Sequence, residues 1–268
     1  MSDQATNAST DTTTLMIETE LETETGMVRF RSCLLDWVTP IIASNQPSLE
    51  SAAADTWDAL AGKPIQDGRS ALSEKHRAIV DIFQEYMEVS EALEAVQDVK
   101  VYLARFPFSK TRVTRGRYLA HQVSIYLNEI YILRVRLTTL AKEVQNCLSS
   151  APQKQFTRPL IAPLFKMIKQ SFDGIEKTRG AHVHIRRFAD DDMRRIGTLE
   201  LLASRMVGAG NLALVVYRNA RRQWLTRISD NEKAIDILLD QYGDALWASL
   251  FAPGMMFDMS DAPAKPRR

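Results

Sequence analysis

Residues 117–148 read RYLAHQVSIYLNEIYILRVRLTTLAKEVQNCL. Within this stretch Val123, Tyr126, Leu127, Ile130, Leu133, Leu137, Leu140 and Val144 recur at offsets of three and four, the spacing that lines one face of an α-helix. At 1.5 Å per residue such a helix is roughly 48 Å long. A helix of that length with an apolar stripe along it needs other helices to cover the stripe, so an all-α bundle is predicted.

The same period continues on both sides. Ile79, Ile82, Phe83, Tyr86, Val89, Leu93 and Val96 predict a preceding amphipathic helix, ended at Phe106-Pro107-Phe108 because proline disfavours a helical residue before it. After a polar loop, 149–159, Leu160, Leu164, Phe165, Ile168, Phe172 and Ile175 predict a third helix ending near Gly180. Asp190, Asp191 and Asp192 suit the positive end of a fourth helix, which carries Met193, Ile196, Leu199 and Leu202 and is expected to kink at Gly208 and Gly210. Ser229 and Glu232 have capping-box spacing and predict the start of a last helix with Ile235, Leu238, Leu239, Tyr242, Leu246 and Leu250. Short links make neighbours antiparallel, so the expectation is an up-down bundle of about five helices.

That bundle is assigned to residues 71–252. Residues 1–25 hold six acidic residues and no Lys or Arg, with few large apolar groups, and are predicted to be a disordered acidic tail. Residues 26–70, with Pro40, Pro47 and Pro64, are expected to form short helices or a linker, and 253–268 a C-terminal tail. Residues 26–268 carry 34 basic against 27 acidic side chains, an excess of +7 that permits a polyanionic partner.

Several classes are disfavoured. The apolar stretch from Met27 to Ala43 contains Arg29, Arg31, Asp36 and Pro40, so no membrane partner is expected. Cys33 and Cys147 lie far apart without CxxC spacing, which fits a reducing cytoplasm better than a disulfide framework or a cysteine zinc site. Phosphate-loop, dinucleotide, GxSxG and HExxH signatures are all missing, and no cofactor is expected.

Residues 176–184 read EKTRGAHVH, with Arg179 and His184 separated by four residues. A neutral imidazole can take the proton of a ribose 2′-hydroxyl while a guanidinium stabilises charge growing on the phosphate, so this pair suits RNA cleavage without metal. Glu129 and Glu176 are candidates for orienting the pair. A second match, Arg115 with His121, sits at the start of the 117–148 helix. His182 and His184 would share a face only in an extended segment, and no metal site is expected.

From Val99 to Asn128 there are six basic residues and no acid before Glu129. They are Lys100, Arg105, Lys110, Arg112, Arg115 and Arg117, interleaved with Tyr102, Phe106, Phe108, Tyr118 and Tyr126. Cations for phosphates and rings for bases would form an RNA platform. Arg186, Arg187, Arg194 and Arg195 follow His184 as a second basic group.

Over roughly Ser73 to Leu225 the chain resembles the HEPN superfamily (higher eukaryotes and prokaryotes nucleotide-binding domains), helical bundles whose ribonuclease members carry an R-x4–6-H motif after a long helical hairpin. Arg179 and His184 match that motif. Val183 fits the small apolar residue usual before the histidine, whereas Gly180 stands where a polar residue is usual. The resemblance implies a metal-independent endoribonuclease acting as a homodimer, in a toxin or phage-defence setting with an antitoxin or regulatory protein as partner. Where some members carry a modifiable tyrosine after the histidine, this chain has Arg186. The alternative from the residues alone is a noncatalytic helical module that binds a partner protein.

Overall fold

In the computed structural model, residues 25–45, 72–108, 112–148, 154–184 and 190–252 are described, and all of their regular structure is helical. The helices are α1 (Gly26–Asn45), α2 (Glu74–Ala104), α3 (Arg115–Cys147), α4 (Lys154–His184), α5 (Asp191–Leu202) and α6 (Ala209–Leu250). The all-α bundle is therefore observed, with six helices among the described residues. The expected tails at 1–24 and 253–268 lie outside them.

Local chemistry sets most boundaries. Ser73 caps α2 by accepting the His76 N–H at 3.2 Å, and Thr114 caps α3 by accepting that of Arg117 at 3.4 Å. Asp190 caps α5 through the Met193 N–H at 2.8 Å, with Asp191 and Asp192 in the first turn. Gly208 sits at φ +86 before α6, a left-handed conformation that favours glycine.

α3 is the central helix, packed against α2, α4, α5 and α6. Ile130, Leu133, Leu137 and Leu140 are wholly buried, together with Ile82 and Val96 of α2, Ile161 and Ile168 of α4, Ile196 of α5 and Leu246 of α6. Two tyrosines pin α6 to α3. Tyr242 donates to the Leu137 carbonyl at 2.7 Å inside the core, and the Tyr126 hydroxyl accepts from Asn231 Nδ2 at 2.9 Å. Tyr126 thus belongs to the core rather than to an RNA platform.

Burial holds the Tyr126 phenol neutral and pushes it up to about 12, and Tyr242 is raised for the same reason. Unfolding releases these protons once the pH exceeds the ordinary phenol value of 10, so stability is full below pH 10 and falls as pH rises toward 12. At about 1.4 kcal/mol per unit, Tyr126 alone accounts for roughly 2–3 kcal/mol across that window. Urea unfolding at pH 9 and 11.5 is expected to show this loss, and Tyr126→Phe to make the profile shallower. An unchanged profile in the variant would contradict the assignment.

Three elements differ from the sequence expectation. Residues 26–45 form one continuous helix whose Phe30, Leu34, Val38 and Ile41 enter the core, despite Pro40 on its exposed side. α4 begins at Lys154, carries Pro159 and Pro163 inside it, and continues past Gly180 to His184. Ser229 and Glu232 start no helix. They lie within the 42-residue α6, where Trp224, Ile228 and Ile235 keep one buried face unbroken and Glu232 pairs with Lys100.

α1 docks on the second half of α6 at a glycine crossing. A Cβ on Gly243 would collide with the backbone of Gly26 and Met27, so only glycine permits this approach. The Gly26 N–H donates to Asp240 Oδ1 at 2.6 Å, Arg29 pairs with Asp244 and lies 4.5 Å from the Trp247 ring, and Trp37 meets Phe251 edge-on at 4.5 Å.

Candidate nucleic-acid interface

The end of α2 and the start of α3 bring together the middle of the basic and aromatic segment. Phe106 lies 5.4 Å from Tyr118 and 5.7 Å from Phe108, both edge-on, and 6.3 Å from Tyr217 of α6. Such edge-to-face contacts fix rings without stacking them fully. Phe108 remains 40% exposed and Tyr102 56% exposed, so each presents surface to solvent.

The cations divide into anchored and presented groups. Lys100 is engaged by Glu232, and Arg221 of α6 donates to the Ala104 carbonyl at 3.1 Å while lying 5.7 Å from the Tyr217 ring. Arg105, Arg112, Arg115 and Arg117 are exposed, with Arg115 held 5.2 Å from the Phe106 ring centre. Lys110, Arg186 and Arg187 lie outside the described residues. Arg194 and Arg195 of α5 are exposed, and Arg194 pairs with Asp191.

Beside these arginines a recess of about 530 Å3 opens, lined by Phe106, Phe108, Arg115, Glu200, Ala213 and Leu214 among others. Glu200 comes from α5, and its Oε1 accepts the Gly116 N–H at 3.1 Å. Gly116 has no Cβ to keep α5 away. One there would come within 2.8 Å of Ile196 and 2.9 Å of Glu200 Oε2. Tyr217 is 3% exposed behind Phe106, and burial raises its phenol against the opposing charges of Arg221 and Arg115.

α3 and α4 pack along one another and only six residues separate them, so an antiparallel return of α4 toward the start of α3 is the expected arrangement. Asp190, six residues after His184, also accepts from Trp224 Nε1 at 2.9 Å, one turn from Arg221 and its Ala104 contact. Six residues reach at most about 20 Å.

Glu176, Arg179 and His184 all fall in the last turns of α4, where the helix backbone places them. Positions 179 and 184 are about 140° apart around the axis and roughly 7.5 Å apart along it. Positions 182 and 184 differ by about 200°. Arg115 and His121 are both exposed on α3, about 120° apart. Glu129 is half-buried and lies roughly 21 Å along α3 from Arg115, remote from this end.

No family model, curated protein or solved structure matches this chain. Among the described residues no helix is long and apolar enough to cross a membrane, and no cluster of three His, Cys, Asp or Glu is placed to hold a metal. Sequence reasoning missed Glu200, which lines the recess 84 positions after Gly116, and Tyr217 and Arg221, which reach Phe106 and the Ala104 carbonyl from α6; none of the three carries a local motif.

Proposed function

We propose that this chain binds single-stranded RNA at the α2–α3 end of the bundle and cleaves it without metal, as a HEPN-type endoribonuclease. One observation supports the reading: the exposed arginines at 105, 112, 115 and 117 and the Phe106 and Phe108 rings gather at the α2–α3 turn beside the recess. Phosphates on the arginines and a base against the rings would present the ribose-phosphate link to the α4 terminus.

In this proposal His184 takes the 2′-hydroxyl proton, O2′ attacks phosphorus, and the bond from phosphorus to O5′ breaks. The leaving O5′ takes a proton from water, His184 returns its proton to solvent, and the products end in a 2′,3′-cyclic phosphate and a 5′-hydroxyl. Arg179 offsets the charge that grows on the phosphoryl oxygens. A homodimer opposing two α4 ends would complete the cleft that one helix, with its two positions 140° apart, leaves open. A toxin or phage-defence setting, with an antitoxin or regulatory protein, belongs to the same proposal by analogy.

The test is incubation of end-labelled single-stranded RNA with the full chain in excess chelator. Shorter products bearing cyclic phosphate are the expected result. A folded chain that leaves several RNAs intact would overturn the catalytic reading in favour of a noncatalytic interaction module. That second reading is favoured by one feature, the apolar surface at the α5–α6 corner, where Leu201 is 77% exposed and Met206, Val207, Leu212 and Val215 are more than half exposed.

A further inference from the structure

We infer that the recess beside the α2–α3 turn is a guanine-selective base site, built around the Glu200 carboxylate. The inference takes its setting from the RNA reading above, and its chemistry from the recess alone. At about 530 Å3 the space lies within the range of small-ligand sites. Its walls supply the three elements that a nucleotide uses. Phe106 and Phe108 offer ring surface for a base, Arg115 offers a cation for a phosphate, and Glu200 offers acceptors for a base edge.

Glu200 decides which base. Its Oε1 is fixed by the Gly116 N–H, so the carboxylate is held by the backbone rather than by a competing cation, and Oε2 has no hydrogen-bond donor among the described residues. Arg115 forms no ion pair among the described residues, so the carboxylate and the guanidinium stand as separate charges on the recess wall. An ionised carboxylate only accepts hydrogen bonds. Guanine is the one common base with two adjacent donors on its pairing edge, the ring N1–H and the N2 amino group. Adenine and cytosine each place a ring nitrogen acceptor there, and uracil flanks its single N–H with two carbonyls. With Oε2 open and a second lone pair left on Oε1 beside the Gly116 N–H, the carboxylate therefore binds the guanine edge in a paired arrangement and meets unfavourable lone pairs on the others.

The experiment is calorimetric titration of the full chain with the 5′-monophosphates of guanosine, adenosine, cytidine and uridine. Guanosine monophosphate is expected to bind at least tenfold more tightly than the other three, the scale of one paired base contact. Glu200→Gln keeps an oxygen for the Gly116 N–H and is expected to retain the wild-type melting temperature while the preference falls below threefold. Phe108→Ala is expected to weaken all four nucleotides together. Equal binding of the four, no binding of any, or a preference that survives Glu200→Gln would overturn the inference.

Parallel titration with single-stranded oligoribonucleotides containing or lacking guanine separates this claim from the RNA reading. Equal affinity for the two oligonucleotides would overturn the guanine site and leave RNA binding in place. Binding of guanosine monophosphate, with neither oligonucleotide bound, would overturn the RNA reading and support a mononucleotide site.

Discussion

His184→Ala is expected to lower the rate of RNA cleavage by 10²-fold or more, and Arg179→Ala to a similar extent, with RNA affinity changed less than threefold. A positioned general base contributes on the order of 10²–10⁴ in rate, and a charge aimed at the transition state contributes comparably. In the proposed mechanism both side chains act on groups whose charge or protonation changes during reaction, so their loss should fall on kcat rather than on binding. Single-turnover cleavage with saturating protein measures this directly. In the proposed homodimer one copy supplies Arg179 and the other His184 to each cleft, because the two positions diverge around α4. Mixing the two variants is therefore expected to restore part of the activity. Equal cleavage by wild type and both variants would exclude Arg179 and His184 from the chemistry.

Gly243→Val is expected to be among the most damaging single substitutions in the chain. Its side chain would occupy the space now filled by the Gly26 and Met27 backbone, and backbone cannot rotate aside as a side chain can. α1 must then move from α6, loosening Phe30, Leu34, Val38 and Ile41, each worth about 1.5–3 kcal/mol when fully buried. A cost of about 3 kcal/mol is the expected minimum, a fall in Tm of roughly 6–12 °C for a domain of this size. Gly197→Ala is the control. A Cβ there meets nothing, and the helix should gain about 0.5–1 kcal/mol. A Gly243→Val chain as stable as wild type would show that α1 is not held by this crossing.

How much was legible beforehand depends on where the determining contacts lie. The α2–α3 hairpin was readable because its apolar positions are local and periodic and its break is marked by Pro107. The α5 start was readable because the acids themselves cap the helix. α1 was obscured by Pro40 and by exposed Val28, Leu35 and Ile42, which blur the stripe of Phe30, Leu34, Val38 and Ile41. The Ser229 and Glu232 pattern misled because a capping motif is local. Continuity of α6 is decided by burial of Ile228 and Ile235 against other helices.

The same distinction governs the candidate site. Arginines 105, 112, 115 and 117 form a sequence cluster and remain a spatial one. The core role of Tyr126 depends on Asn231, 105 positions away. Glu200 carries no signal of its own, since its meaning arises only where α5 meets Gly116. The recess is the part of the site that only the folded chain reveals.

The measurement that tests most directly whether RNA binds at this end is the salt dependence of single-stranded RNA affinity, compared between wild type and the combined Arg112→Ala, Arg115→Ala and Arg117→Ala variant. If each arginine contacts one phosphate, the slope of log affinity against log salt should become shallower by about 2, with affinity lower by on the order of a hundredfold in low salt. The same slope and affinity in a folded triple variant would place the RNA elsewhere on the molecule and contradict the account.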